Sequence, residues 1–570
     1  MEINPLNQKR WHIAPSLPKE ASDALMEYDP VLRQLLYQRG CQTAEAARRY
    51  IEATPLEDTN PFLLTGMQAA VERLLHAVQH RQRVAIYGDY DVDGVTATAL
   101  LTSALSSLGA DVQAYIPNRF EEGYGLNIDA LQELKDAGAT VVVTVDNGIR
   151  SVNEAEYAAR IGLDLIISDH HHPQTDLPLA LAVIDPKQPG DVYPEKNLSG
   201  VGVAYKIVQA LAATDGLPSS FAAEEYLDLV ALGTVADVVP LTGENRTLVR
   251  QGLARLRRVK RQGLLSLMRV AGIAPEHINA GHIGFGLGPR INAAGRLDSA
   301  VASLHLLMTE DLMEAGLLAQ QLNVQNQERQ RLTREILEHA EQIAHQEDSD
   351  GWLLFAVHPN FNAGVVGLVA SRLTETYYRP AIVGEYGEEF TVASCRSIPE
   401  FHITDALDQC ADLFVRHGGH AAAAGFKIHN DNIPALVQRL RKIAADQLAP
   451  LVPQPTLSAD LEIPLGRIKP KELLHDIGLL EPTGSQNPEA VFVSRDVSIR
   501  TSREVGHDNR HLKLTISDGG ITYDAIAFSM GHLRSVLPLR VDVMYTFEVN
   551  DYNGRTTLQL NLKDIKPSQS

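Results

Sequence analysis

The stretch VAIYGDYDVDGVTATALL, Val84–Leu101, decides the fold. It opens with an apolar β-type run, passes three carboxylates on alternate positions (Asp89, Asp91 and Asp93), and turns at Gly94 into a helical pattern. In extended chain, residues two apart point the same way, so the three acids are expected to share one face at a strand's end. Like charges at close range raise one another's pKa unless a cation neutralises them. A divalent metal is the economical explanation, and an acidic solvated turn is the plain alternative.

Repetition of the pattern favours the metal. TVVVTVDNGIR (Thr140–Arg150) is a β-branched run ending in Asp146, Asn147 and Gly148. LDLIISDHHHP (Leu163–Pro173) is another apolar strand, closed by Asp169, His170, His171 and His172, and VALGTVADVVPL (Val230–Leu241) puts Asp237 after a small-residue run. Open α/β sheets bind ligands beyond the carboxyl ends of their strands, so four such clusters are expected to converge. Carboxylates mixed with imidazole suit Mn²⁺ or Mg²⁺ better than a thiolate metal. Two such ions polarise a phosphoryl group and supply a metal-bound hydroxide. Phosphoester hydrolysis follows from the residues alone.

At 570 residues the chain exceeds one core, and several domains are expected. Residues 1–60 read as a short helical region. From 61 to 309 strand candidates (Arg83–Tyr87, Asp111–Ile116, Thr140–Val145, Asp164–Ile167, Leu181–Ile184) alternate with helical stretches, predicting an α/β domain with a largely parallel sheet. Residues 310–347 read as one long polar helix bridging to a second α/β domain, 348–452. After the proline-bearing linker APLVPQPTL come five β runs within 453–570 (AVFVSRDVSI, HLKLTISDG, ITYDAIAFS, DVMYTFEVN, TTLQLNLKDI), predicting a small five-stranded barrel. Its Phe492, Tyr523, Phe528 and Tyr545 are either stacking platforms for bases or barrel core.

Three segments read as phosphate binders. IPNRFEEGYGL (Ile116–Leu126) places Arg119 in a glycine-bearing loop after a strand, and GFGLGPRINAAGRLD (Gly284–Asp298) combines four glycines with Arg290, Asn292 and Arg296. Glycine lets a backbone approach a phosphate, and arginine grips phosphate oxygens bidentately. In the second α/β domain, Ser394, Arg396 and Ser397 close a strand, and Gly418, Gly419 and His420 form a donor-rich turn, together a phosphate cradle.

Net charge is −20, yet affinity for nucleic acid depends on local basic patches rather than the total. No apolar run reaches the length of a membrane span, and the N-terminus lacks the apolar core of a signal peptide. Cys41, Cys395 and Cys410 are too scattered for a disulfide framework or a zinc site. A cytoplasmic location is expected.

YGDYDVDG, VDNG, SDHHHP and GTVADVVPL, in this order, resemble the signature blocks of the DHH phosphoesterase superfamily. With GPRINAAGRLDSA, SCRS, GGHAAAAGF and the terminal barrel, the resemblance narrows to its bacterial single-strand-specific 5′→3′ exonucleases and covers nearly everything from about Arg83. It implies a repair and recombination enzyme that releases 5′-mononucleotides by a two-metal mechanism. It implies metal binding by Asp91, Asp93, Asp146, His170 and Asp237, with Asp89 and His171 as close supports or further ligands. It also implies 5′-end binding by Arg119, Arg290 and Arg396, a phosphate role for Arg296, and single-strand binding by an OB-type barrel. Single-strand-binding protein and a RecQ-type helicase are the partners it suggests, for a monomeric enzyme. Phosphodiesterases of the same superfamily acting on short oligoribonucleotides or cyclic dinucleotides are the alternative, disfavoured by the barrel and bridging helix. Two departures stand out: in LEPTGSQNPEA, Thr483 replaces the family's aromatic and Gln486 a glycine, and the chain ends at the barrel, without the terminal domain of some members.

Overall fold

The computed structural model describes residues 9–54, 58–119, 121–123, 125–347, 351–552 and 555–568. They form two compact units, chiefly Trp11–Asn323 with Ser458–Ser570, and Val324–Leu457.

In the first unit, β1 (Arg83–Tyr87), β2 (Asp111–Tyr115), β3 (Ala139–Val145), β4 (Asp164–Ser168) and β5 (Ala182–Ile184) make an all-parallel sheet in the order β2-β1-β3-β4-β5. The near-continuous β-branched run of β3 suits a strand covered on both faces, and it is buried almost throughout. Strand order reverses between β1 and β3, and ligands of open α/β sheets bind in the crevice at such a switch point. The helix after β1, α1 (Val92–Ser107), is apolar all round, with 13 of its 16 residues buried. It packs against α2 (Gly200–Ala212) and α3 (Leu227–Ala236).

Two expectations change here. Asp89, Asp91 and Asp93 do not line an extended strand end: β1 stops at Tyr87, Asp91 caps α1, and Asp93 lies in its first turn. The run preceding Asp237 is helix α3 rather than a strand, with Asp237 at its C-cap. Small and β-branched residues bury equally well in a helix enclosed on all sides, so periodicity could not separate the two.

Beyond α3 come α4 (Gly243–Leu256), α5 (Gln262–Ala271) and α6 (Gly288–Leu297). The glycine-bearing run 284–298 is therefore helical and no loop, entered through a π-helical turn, Ile283–Leu287. Its glycines serve packing: a Cβ at Gly295 would stand 2.7 Å from the Tyr90 carbonyl.

Helix α7, Leu312–Glu347, runs unbroken from the first unit into the second. There β6 (Leu354–His358), β7 (Ala381–Tyr386), β8 (Phe390–Arg396), β9 (Phe414–His420) and β10 (Ala423–His429) form a sheet ordered β9-β10-β8-β7-β6, with only β6 and β7 parallel. The helix α8 (Val366–Tyr377) packs on β7 and β8. Gly418, Gly419 and His420 belong to β9, with the turn at Ala421–Ala422, correcting the expected turn. Gly419 has φ 152°, and a Cβ there would stand 2.4 Å from the Ala423 carbonyl oxygen.

Back in the first unit, β11 (Phe492–Val505), β12 (His511–Ser517), β13 (Thr522–Ala527), β14 (Arg540–Tyr552) and β15 (Arg555–Pro567) close a barrel in the order β11-β12-β13-β15-β14, with β14 returning to β11. Each of the five β runs supplies one strand. Leu32, Leu35 and Leu36 of the N-terminal helices share a core with barrel residues Phe492, Leu514 and Tyr545. Phe492, Tyr523 and Tyr545 are buried, so they are core and not platforms, whereas Phe528 is 51% exposed beside His511.

Candidate metal centre

The acidic and histidine clusters meet at the carboxyl ends of β1, β3 and β4. Asp89 lies in the turn after β1, where Gly94 packs so tightly that a Cβ would stand 2.6 Å from Asp89 backbone. Asp91 accepts the N–H groups of Asp93 and Gly94 at 2.9 and 3.1 Å, capping α1. Asp93 is held from outside its own helix: the N–H groups of Gly200 and Val201, at the start of α2, donate to its two oxygens at 2.6 and 2.8 Å. A helix N-terminus favours a carboxylate through both dipole and free donors.

Asp146 follows β3 with φ 65°, a left-handed conformation costly for a residue with a Cβ and a form of strain concentrated at functional sites. Gly200 makes room for it, since a Cβ there would stand 2.5 Å from Asp146 Oδ1. His170 Nε2 lies 3.1 Å from Asp146 Oδ1, 3.7 Å from Asp237 Oδ2 and 3.9 Å from Asp93 Oδ2. Three overlapping sets, Asp89–Asp91–Asp146, Asp93–His170–Asp237 and Asp146–His170–His171, each offer ligand atoms within 4.8 Å of one another.

The electrostatics demand a cation. Asp89 Oδ1, Asp146 Oδ1, Asp237 Oδ2 and both ring nitrogens of His170 are buried without a hydrogen-bond partner among the described residues. Burial, then repulsion from Asp91, pushes Asp93 up to about 7. Burial, then Asp93 and Asp91, pushes Asp237 up to about 9. Asp89 and Asp146 are driven well above the carboxylate range, by burial first and neighbouring aspartates second. Burial lowers His170 to about 3, leaving a neutral imidazole, the form that ligates metal. Dications would reverse the penalty on every carboxylate, and hard oxygens with imidazole fit Mn²⁺ or Mg²⁺.

Asp169, quoted above only as a strand-ending acid, holds the other histidine. Its Oδ1 accepts the backbone N–H of His170 at 2.7 Å and meets His171 Nδ1 at 2.7 Å, while Oδ2 accepts the Ile149 N–H at 2.9 Å. Against the cost of burial, the His171 hydrogen bond and charge keep Asp169 below its ordinary value. Burial likewise opposes charge on His171, but Asp169 raises it. The backbone donors on Asp93 were also missed, although the helix start LSGVGVAY, with Ser199 capping Gly202 at 3.1 Å, is a readable signal.

Beside the centre, the Arg119 guanidinium lies 5.0 Å from the Tyr90 ring centroid, and Arg296 acts on the Tyr90 hydroxyl electrostatically. Phe120 and Tyr124 of the Arg119 segment lie outside the described residues. Arg290 donates to Gly286 O at 2.7 Å and Asn323 Oδ1 at 3.0 Å, and Asn292 is half-buried on α6. In the second unit, Ser394 and Arg396 flank Gly367, where a Cβ would stand 3.4 Å from Ser394 Oγ and 3.3 Å from Arg396 Nη2. Ser397 spends its hydroxyl on Phe401 O at 2.6 Å, and His420 is exposed with its carbonyl accepting from Thr404.

Comparison with known proteins follows the same divisions. The DHH family N-terminal domain matches residues 83–234, the DHHA1 domain 350–446, and the RecJ OB domain 459–564. The single-stranded-DNA-specific exonuclease RecJ of Bacillus subtilis (strain 168) is 38% identical over 569 residues, 99% of this chain and 71% of that protein. RecJ of Escherichia coli (strain K12) is 35% identical, covering 96% of this chain and 98% of that protein. The crystal structure of RecJ in complex with Mn²⁺ from Thermus thermophilus superposes with a TM-score of 0.84 at 30% identity, covering 99% of this chain and 80% of the other.

Proposed function

The chain belongs to the RecJ family of DHH-type exonucleases, and from that premise we propose that it hydrolyses single-stranded DNA from the 5′ end, releasing 5′-mononucleotides. The observation that carries the chemistry is the set of buried donor atoms without partners in the three overlapping ligand sets. Asp89, Asp91 and Asp146 would hold one Mn²⁺ or Mg²⁺ ion, and Asp93, His170 and Asp237 a second, with Asp146 between them. When bound, such ions neutralise the phosphate and activate water for in-line attack.

The chain's own groups do the rest. Gly200 and Val201 fix Asp93 through its two oxygens. Asp169 holds the His171 ring through Nδ1 and raises its pKa against the effect of burial, so that Nε2 is left to face the scissile phosphate. Arg119, near Tyr90, is assigned to the strand's 5′ end, and Arg296 to a phosphate. Arg290 with Asn292 in the first unit is assigned to the strand's 5′ end; in the second unit Arg396 with Ser394, Ser397, Gly419 and His420 forms a phosphate cradle of its own. The barrel tracks the following nucleotides by charge and stacking. Among the described residues no helix is long and apolar enough to cross a membrane. The reading completes itself with a monomeric cytoplasmic repair enzyme working beside a single-strand-binding protein and a RecQ-type helicase.

Assaying the purified protein with Mn²⁺ on a 5′-labelled single strand, a blunt duplex and a cyclic dinucleotide tests it. Mononucleotide release from the single strand alone is expected. Preferential cleavage of the cyclic dinucleotide would overturn the reading in favour of a small-substrate phosphodiesterase.

A further inference from the structure

Helices α1 and α3 both end on the metal centre, α1 with Asp91 and Asp93 at its start and α3 with Asp237 at its finish. Their opposite ends border a cavity of about 830 Å³ lined in part by Ser103, Tyr226, Arg258, Lys260, Gln262 and Thr309. At 1.5 Å per residue, Ser103 and Ser107 stand about 15 and 21 Å along α1 from Asp93. The cavity is therefore distinct from the metal centre and lies within the first unit.

Its charge is set by an unusual stretch. Residues 245–275 carry eight basic residues (Arg246, Arg250, Arg255, Arg257, Arg258, Lys260, Arg261 and Arg269) and no acid, in a chain of net charge −20. Two cations of the cavity are already spent. Arg255 pairs with Glu225 at 2.5 Å, and Arg261 pairs with the buried Asp228 at 2.9 Å, whose other oxygen accepts the Leu229 N–H. These pairs brace the wall. The side chains of Arg258 and Lys260 are exposed and have no hydrogen-bond or ion-pair partner among the described residues. Against them stands one further carboxylate of the lining, Glu310. Helix α5 also begins here at Gln262, with no side chain capping its first turn, so its dipole and free N–H groups add to the positive potential.

We propose that this cavity is an accessory binding site for a phosphate-bearing small molecule of nucleoside diphosphate size. Arg258 and Lys260 take the phosphates, and the Ser103 and Thr309 side chains with Tyr226 border the remainder. The volume falls in the roughly 300–1,000 Å³ range of small-molecule sites, and a half-open cavity set between helix ends suits a compact ligand better than a running strand.

Equilibrium binding of ADP and of inorganic pyrophosphate to the full chain in EDTA removes metal-dependent binding at the catalytic centre. Saturable one-to-one binding is expected, weakened at least tenfold in Arg258→Glu/Lys260→Glu and strengthened about twofold in Glu310→Gln. Hydrolysis of a short oligonucleotide with Mn²⁺ should be unchanged in both variants. Equal affinity for pyrophosphate and ADP assigns the whole interaction to the phosphates, and tighter ADP adds the nucleoside; both support the site. No saturable binding, or binding indifferent to the double reversal, overturns it. So does an equal loss of affinity for a long single strand, which would make the patch a contact for DNA.

Discussion

Two of the places where the first unit buries charge treat it oppositely. At the metal centre, aspartates and histidine crowd together with buried oxygens and nitrogens left unpartnered. At the junction of α4, the N-terminal helix Ala44–Glu52 and the segment before the barrel, one guanidinium, Arg246, is 3% exposed and served on all sides. It donates to the carbonyls of Tyr50, Leu479, Leu480 and Pro482 at 2.8 to 3.2 Å and lies 4.0 Å from the Tyr50 ring centroid. An unsatisfied buried charge costs several kcal/mol, so the first arrangement makes sense only with ligands, and the second is complete in itself. Unpartnered buried charge marks function; partnered buried charge marks architecture.

Asp146→Asn should break the centre most severely. The change preserves shape but removes the charge shared between two ligand sets. Activity is expected to fall at least about a thousandfold, on the order of 4 kcal/mol in barrier, while DNA binding survives because a negative charge near the phosphates has gone. Calorimetric Mn²⁺ stoichiometry beside the exonuclease rate checks it. Two ions bound with near-normal turnover would end the bridging role.

Arg246→Met tests the other side. Four carbonyls each lose a charged donor. Asn487 still serves Leu480 O and Pro482 O, and the Ala53 N–H still serves Tyr50 O, so the cost is that of losing hydrogen bonds to a charged group, about 1.5–3 kcal/mol each before relaxation. A net loss of about 3 kcal/mol in unfolding free energy is expected, with Mn²⁺ affinity of the folded protein unchanged. A shift in that affinity would merge the two regions into one coupled system, a real alternative given that Leu241, four residues beyond Asp237, donates its N–H to Ser485 O at 2.8 Å.

These regions were also unequally legible in the sequence. Strand runs ending in Asp or His announce the centre, because a parallel strand enclosed on both faces is written in β-branched residues and its ligands follow directly. The manner of convergence was hidden: Asp237 arrives on a helix, and Asp91 and Asp93 on a helix start, because buried helices such as α1 and α3 carry no amphipathic period. Arg246 left no trace at all. Its partners are carbonyls, which every residue possesses, and it reads as one more cation in a basic run. The helical conformation of 284–298 was hidden for a related reason, as glycine permits both loop flexibility and close helix packing.

Asp169→Asn sharpens the comparison from within the centre, since Asp169 is a fully partnered carboxylate standing behind unpartnered ones. An amide cannot present two acceptor atoms, so either the His170 and His171 donors or the Ile149 N–H would face an NH₂ group. Groups that orient metal ligands typically contribute 10–100-fold, and a loss of that size in rate is expected. NMR titration separates positioning from folding: the His171 pKa, held up by Asp169, should drop in the variant. An unmoved pKa would show that Asp169 acts on structure alone.

The smallest effect belongs to the architectural side. Gln486 sits in the loop that embraces Arg246, with φ 53° and an exposed side chain. Its neighbours are fixed: Asn487 donates to Leu480 O and Pro482 O at 3.0 and 2.7 Å and accepts from the Tyr50 hydroxyl at 2.7 Å. A residue with a Cβ in the left-handed region costs roughly 1 kcal/mol or more, and glycine escapes that cost while losing more entropy on folding. Gln486→Gly should therefore stabilise by about 0.5–1 kcal/mol, read as a higher denaturant midpoint with an unchanged slope. Its exposed side chain is not part of the carbonyl cage, so the gain should persist in an Arg246→Met background to within about 0.5 kcal/mol. A gain that vanishes there would mean the strained turn exists to aim the carbonyls at Arg246, making loop and guanidinium one cooperative unit.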